Sequence, residues 1–286
     1  MPPLLAPPLL LLLLSQLALA LDNGLGRRPP QGWRSWNAYG ADITQEKMIA
    51  AAAAMVNRSR GHSLLDAGYT NCGLDDYWQA CGTGTGGSFH NETGYPLVNL
   101  TRFPSMKAMT DRGHSLGLKM GWYANNCGCN EHQTVAGWGA AASPVPGPFP
   151  GRSAGDTDGI HHYEGDVAAT VAFGFDGIKL DGCGEFKNLS VFAELLNQSG
   201  REVLMEDCHW GGDGPGSWGD GGALNRGPNH VPAWKWCPAN FFRTSGDIAN
   251  DWGSVWFNHQ TVDRHQPWNA TEDQVKTGPG CWAYPE

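Results

Sequence analysis

The sequence predicts an α/β fold of the (β/α)₈ barrel class, and three observations predict it. Short strand-like stretches alternate with helical patterns along most of the chain. Those stretches end in polar or aromatic residues. No glycine-rich phosphate fingerprint follows the first of them, which disfavours a doubly wound nucleotide-binding sheet. Strand–helix alternation implies parallel strands joined by right-handed crossovers. Six or more such units favour a barrel over the doubly wound alternative.

The strand-like stretches are Gly32–Asn37, Tyr69–Asp76, Gly117–Asn125, Gly177–Asp181, Glu202–Trp210 and Phe242–Asp247. Helical patterns separate most of them. Thr44–Val56 is rich in alanine. Ser105–Gly113 places Met106 and Met109 three apart. Glu164–Phe173 is rich in alanine and valine. Glu185–Asn197 carries Leu189, Phe192, Leu195 and Leu196, a stripe on one helical face. The stretches 82–87, 136–155 and 211–232, rich in glycine and proline, read as long loops.

A barrel of this class places its chemistry at the C-terminal ends of its strands. Those ends hold Trp36, Asp75 and Asp76, Tyr123, Asp181, Cys208 and His209, and Asp247. Carboxylates and aromatic rings without a metal-ligand cluster suit a sugar: rings cover the apolar face of a pyranose, and carboxylates accept from its hydroxyls. Lys179 and Asp181 raise a question of cost. Both belong to a strand that is otherwise apolar, and buried charges are expensive unless partnered. Two residues apart on a strand, they point to one face, so a shared polar surface inside the barrel mouth answers it. Lys179 would keep Asp181 ionised and could donate to sugar hydroxyls.

The net charge of −9 argues against nucleic acid as partner. Residues 1–20 end in Ala18-Leu19-Ala20 after a leucine run, as a cleavable secretory signal does. A membrane anchor is the rival reading, disfavoured by early prolines and a short apolar core. The expected division is a signal peptide over 1–20 and a barrel domain over 21–286, with no membrane segment in the mature chain. Sequons at Asn57, Asn91, Asn99, Asn188, Asn197 and Asn269 agree with a glycoprotein of the secretory pathway, extracellular or vacuolar/lysosomal. The eight cysteines then favour disulfides over metal, and Cys127-Gly128-Cys129 lacks the second ligand pair that zinc wants.

The ordered motifs Gly32-Trp33-Arg34-Ser35-Trp36-Asn37, Leu74-Asp75-Asp76-Tyr77-Trp78, Gly117 to Tyr123, Lys179-Leu180-Asp181-Gly182-Cys183 and Arg243 to Ile248 resemble the α-galactosidase (melibiase) family, family 27 of the glycoside hydrolases. The resemblance runs over about residues 25–282. It implies a (β/α)₈ barrel followed by an antiparallel β domain, no cofactor, and hydrolysis of α-linked galactose with retention in a galactose-containing oligosaccharide or glycoconjugate. It implies Asp181 as nucleophile and Asp247 as acid/base, Asp247 being held protonated at the outset by its surroundings. A retaining pair of carboxyls sits roughly 5–5.5 Å apart. It further implies that Trp36 stacks on the sugar, Asp75 and Asp76 grip the 4- and 6-hydroxyls, Tyr123 lines the nucleophile's side, and Arg243 donates to the 2- or 3-hydroxyl. Bland readings stand beside these: a solvated Asp75-Asp76 turn, Arg243 simply pairing with Asp247, and a core Trp36. By the same resemblance Cys183 pairs with Cys127 or Cys129, Cys208 pairs with Cys237, and Cys72 is a free core thiol, with Cys81 and Cys281 unassigned.

Two departures matter. The family's galactosidases carry glutamate, and its N-acetylgalactosaminidases serine, where this chain has His209. The segment Gly278 to Glu286 resembles the family's Gly-Pro-Gly-Gly-Trp-Asn-Asp-Pro-Asp, with Glu286 at the last aspartate, and the sequence stops there. The expectation is a barrel incomplete at its C-terminal end, poorly stable and weakly active alone. The alternatives are the same mechanism on β-L-arabinopyranosides or α-N-acetylgalactosaminides, or a non-catalytic sugar-binding fragment.

Overall fold

The computed structural model describes residues 21, 23–124, 127–129, 160–181, 188–208, 237–263 and 277–286. The strands are β1 (Gly32–Arg34), β2 (Asn71–Gly73), β3 (Lys119–Tyr123), β4 (Gly177–Asp181), β5 (Leu204–Cys208), β6 (Phe241–Arg243) and β7 (Trp282–Tyr284). All pair parallel, in the order β1-β2-β3-β4-β5-β6-β7. The helices are α1 (Trp36–Tyr39), α2 (Gln45–Met55), α3 (Met106–Ser115), α4 (Ile160–Phe173), α5 (Leu189–Ser199) and α6 (Trp252–Gln260). This is a (β/α)₈ barrel carried through its seventh strand.

Helix starts are set locally. Thr44, Ser105, Asn188 and Asp251 each accept, through the side chain, a backbone N–H three residues on. Gly200 ends α5 at φ 72°, the left-handed conformation that favours glycine at such stops. The helices then cover the outer face of the sheet. The predicted stripe of α5 is buried, as are Met48, Ala52 and Met55 of α2 and Met106 and Met109 of α3. They meet outward residues of the strands, among them Cys72, Trp122, Ile178 and Leu180, in one core cluster. Gly113 lets α3 lie close on β3, since a Cβ there would meet the Met120 sulfur at 2.1 Å.

The other face of the sheet is polar and also buried. Arg34 on β1 contacts Glu206 on β5, and Glu206 contacts Tyr284 on β7. In a flat sheet β1 and β5 would stand roughly 19 Å apart at about 4.8 Å per strand. Side-chain contact across that span requires the sheet to curl. Leu21, Asn23 and Gly26 brace its N-terminal side: Leu21 N–H donates to the Cys237 carbonyl at 2.8 Å, Asn23 Nδ2 to the Val203 carbonyl at 2.9 Å, and Trp282 Nε1 to the Gly26 carbonyl at 2.6 Å.

Several expectations need correction. The first strand stops at Arg34 rather than Asn37. Ser35 donates its N–H to the Gly73 carbonyl and accepts Asp75 N–H on Oγ. These bonds turn the chain out of the sheet, so Trp36 opens α1. The Cys208–Cys237 pairing is wrong. Cys208 closes β5 at the C-terminal edge of the sheet, whereas Cys237 precedes β6 at the opposite edge. At about 3.3 Å per strand residue the two are far beyond the roughly 7 Å between Cα atoms that a disulfide allows. Cys237 instead bonds Cys281, Cys81 bonds Cys129, and Cys208 is a free buried thiol. Cys127 is also disulfide-bonded, while Cys183 and its expected pairing lie outside the described residues. Cys72 is free and buried, as the sequence predicts.

The Cys237–Cys281 bridge closes a separation of 44 residues and ties the start of β6 to that of β7. Chain-entropy arguments give a loop of that length about 4 kcal/mol. The double variant Cys237→Ser/Cys281→Ser should therefore lose about that much stability in denaturant unfolding. A loss below about 1 kcal/mol would show that the brace of Leu21, Asn23 and Gly26 already holds these strands together.

Candidate active site

The register of the parallel sheet decides which side chains share the inner face. Tyr123, Lys179 and Glu206 stand side by side on β3, β4 and β5, and Asp181 stands beside Cys208 one step nearer the mouth. Lys179 is 2% exposed, yet its ammonium is not isolated. It donates to Asp75 Oδ2 at 2.8 Å and lies 5.5 Å from the Tyr123 ring centroid. Burial works against the charged lysine, but Asp75, Cys208, Glu206 and Asp181 around it hold its pKa well above the ordinary value. Its hydrogen-bonded partner is thus Asp75, with Asp181 acting on it through the field.

Asp181 ends β4, and its Oδ2 accepts from the Tyr123 hydroxyl at 3.2 Å. That hydroxyl also lies 3.0 Å from Cys127 Sγ. Burial, with Asp181 and other acids nearby, raises the Tyr123 pKa well above its usual value, so it stays a donor.

Asp75 and Asp76 leave β2 together and are both buried. Asp75 Oδ1 accepts Asp76 N–H at 2.8 Å. Burial raises the Asp75 pKa, but Lys179 and Arg34 outweigh it and leave the carboxyl below its usual range. Asp76 shifts the other way, upward by burial, despite accepting Tyr77, Cys127 and Gly128 N–H at 2.8, 3.0 and 2.7 Å. Its carboxylate thereby ties the segment after β3 to the end of β2. Neither aspartate occupies a solvated turn.

Asp247 follows β6 and its side chain is 51% exposed. Oδ2 accepts from Trp36 Nε1 at 2.9 Å, and Oδ1 accepts from Arg243 Nη1 at 2.6 Å. The same Arg243 nitrogen donates to Glu286 Oε2 at 2.5 Å. Arg243 therefore does pair with Asp247, and Trp36 is a half-buried ring at the mouth rather than a core residue. Trp36 stacks on Tyr77 with centroids 6.0 Å apart and planes at 19°. His209 lies outside the described residues. Among the described residues no group of histidine, cysteine or acidic side chains is placed to hold a metal ion, and no helix is long and apolar enough to cross a membrane.

With this geometry in place, the kinship of the chain can be read. It is 31% identical to the α-galactosidase of Cyamopsis tetragonoloba over 82% of its own length and 47% of the relative's. It is 31% identical to a probable α-galactosidase of Dictyostelium discoideum over 84% of its length and 51% of the relative's. It is 28% identical to the rice α-galactosidase over 93% of its length and 52% of the relative's. The chain belongs to the α-galactosidase family, family 27 of the glycoside hydrolases. No family model matches it. It spans about half the length of the curated relatives it matches.

Among solved structures the fold of this α-galactosidase relative resembles α-galactosidase I of Mortierella vinacea, with a TM-score of 0.57 at 22% identity over 93% of the chain and 60% of that enzyme. It also resembles a family 27 β-L-arabinopyranosidase of Geobacillus stearothermophilus, with a TM-score of 0.60 at 17% identity over 91% of the chain and 61% of that enzyme. These likenesses speak for the barrel.

Sequence reasoning missed four contributors to this family member's inner face: Arg34, Tyr77, Glu206 and Tyr284. Tyr77 has φ 72°, a left-handed backbone that costs a bulky residue roughly 1–2 kcal/mol. Its ring lies between Trp36 and Gly128, where a Cβ would meet it at 2.9 Å. Nothing in the sequence signals that turn. Glu206 had a signal: like Lys179, it is a charge in a strand, two residues before a strand-end residue.

Proposed function

We propose that this chain carries the catalytic barrel of a retaining glycoside hydrolase that releases terminal α-linked galactose. The observation that supports it best is a pair of carboxylates at the C-terminal side of the sheet, Asp181 closing β4 and Asp247 in the segment after β6, each fixed by an aromatic donor: Asp181 by the Tyr123 hydroxyl and Asp247 by the Trp36 indole. In this reading an Asp181 oxygen attacks the anomeric carbon as the bond to the leaving oxygen breaks, and Asp247 gives that oxygen its proton. Asp247 then takes a proton from water, whose oxygen displaces Asp181 from the anomeric carbon. Arg243 fixes the Asp247 carboxyl group, Trp36 offers its ring face to the sugar, and Asp75 and Asp76 accept from hydroxyls.

Residues 1–20 would direct the chain into the secretory pathway, and the mature chain would begin at Leu21. Docking of Leu21 on Cys237 and the disulfides support that reading. At the 2-position, His209 can donate from its ring but offers no carboxylate pair, so a 2-hydroxyl suits it better than an N-acetyl group. The alternative sugar is β-L-arabinopyranose, which keeps galactose's ring hydroxyls and lacks its hydroxymethyl arm.

The test is hydrolysis of a panel of aryl glycosides. The α-galactoside should exceed the α-N-acetylgalactosaminide in kcat/KM by about tenfold or more, the discrimination one pocket contact supplies. Faster cleavage of the N-acetylgalactosaminide would overturn the assignment at the 2-position. Galactose binding without turnover of any glycoside would mark a sugar-binding fragment.

A further inference from the structure

Glu206 has no role in the mechanism above, yet its side chain is only 4% exposed and accepts at both oxygens. Oε2 takes Arg34 Nη2 from β1, and Oε1 takes the Tyr284 hydroxyl from β7. Arg34 has a second acid beside it: its Nε stands 3.8 Å from Asp75 Oδ2, outside hydrogen-bond range. Its Nη1 reaches the Leu74 carbonyl at 3.5 Å.

A carboxylate has about four acceptor sites. In Asp75 one is taken by Lys179 Nζ on Oδ2 and one by Asp76 N–H on Oδ1. The remainder are what a sugar hydroxyl could use. An arginine beside a carboxylate frequently closes on it with two parallel N–H bonds. The Nε and Nη2 of Arg34 form such a fork, and Nε already faces Asp75. The fork is open: Nη2 donates to Glu206 instead, and Glu206 also accepts the Tyr284 hydroxyl from β7 at the far edge of the sheet.

Resting on the galactoside reading, we infer that Glu206 is a positioning residue: it holds the Arg34 guanidinium off Asp75 and so keeps the remaining acceptor sites of Asp75 open for substrate hydroxyls. Arg34 still lends Asp75 its charge at 3.8 Å without occupying it. Glu206 never touches the sugar in this account. It acts through Arg34.

The test compares wild type, Glu206→Gln, and Glu206→Gln/Arg34→Met. Glu206→Gln should raise both KM for an aryl α-galactoside and the Kd for D-galactose about tenfold, with kcat within about twofold of wild type. Removing Arg34 in that background should return Kd and KM to within about threefold of wild type, because no fork is left to close. A merely structural ion pair predicts the reverse, further loss in the double variant. Unchanged affinity in Glu206→Gln, or no recovery in the double variant, overturns the inference. If wild type neither binds galactose nor cleaves any glycoside, it is the galactoside reading that fails. A crystal structure of Glu206→Gln then decides the positioning role separately: Arg34 Nε and Nη2 should both lie within hydrogen-bond distance of Asp75, and an unmoved Arg34 overturns it. Should Glu206→Gln fail to fold, Tyr284→Phe loosens the same carboxylate and should raise the galactose Kd in the same direction; no rise overturns the role.

Discussion

Asp181→Asn is expected to lower turnover of an aryl α-galactoside by about 10⁴-fold or more, as loss of a covalent nucleophile does. The fold should survive. The carboxamide is nearly the same size, and its oxygen can still accept from the Tyr123 hydroxyl that reaches Asp181 at 3.2 Å. A near-wild-type melting temperature beside lost turnover would separate chemistry from stability. A 2-fluoro glycosyl inhibitor of galactose configuration with an activated leaving group should label wild type at Asp181, since a fluorine at C2 slows both displacements and the leaving group restores only the first. External azide should accelerate Asp247→Ala on a substrate with an activated leaving group, because azide replaces the water that Asp247 would deprotonate. It should do nothing for Asp181→Asn. A label on any other residue would refute the nucleophile assignment.

The sequence made the barrel's outline legible, and the reason lies in periodicity. The α5 stripe of Leu189, Phe192, Leu195 and Leu196 is one-faced, and all of it is buried. Strands in a parallel barrel are short, apolar outward and bounded by polar residues, so their positions were readable while their ends were not. Ser35 ends β1 through bonds to residues some forty positions away, Gly73 and Asp75. No local pattern encodes that. Helix α6 escaped for a related reason. Its aromatic residues Trp252, Trp256 and Phe257 are largely exposed, so it carries no buried stripe to betray it.

At the candidate site the motifs gave residue identities but not partners. Parity placed Lys179 on the face of Asp181 correctly, but parity says nothing of neighbouring strands. Only the register shows that Lys179 Nζ meets Asp75. The disulfides went the same way. The family pattern suggested a Cys208–Cys237 bridge that the sheet forbids, because parallel strands put those residues at opposite edges.

The buried pair itself makes the second large prediction. Asp75→Asn should cost about 3–5 kcal/mol at neutral pH, the usual penalty for stranding one member of a buried ion pair. Lys179 is 2% exposed, and a neutral carboxamide in place of the Asp75 carboxylate would leave its ammonium without the adjacent anion. Against a typical net stability of about 5–15 kcal/mol that loss is large. Lys179→Met should cost less than Asp75→Asn, because Arg34, 3.8 Å away, still compensates Asp75. The double variant Asp75→Asn/Lys179→Met should be more stable than Asp75→Asn alone, since it strands no charge. Additive losses would show that the two groups do not interact and would sink the argument. The pH dependence gives a second check. The Asp75 pKa is lowered in the folded chain: burial raises it, and Lys179 and Arg34 more than reverse that. A lowered carboxyl contributes stability that is present above its unfolded value of about 3.9 and is lost as pH falls through the folded value. The gap between wild type and Asp75→Asn in denaturant unfolding should therefore hold from pH 7 to about pH 5 and narrow below about pH 4. A gap that stays constant down to about pH 3, below the unfolded value, would mean that the asparagine fails by shape or hydrogen bonding, and that the charge on Asp75 contributes nothing to holding Lys179 inside the barrel.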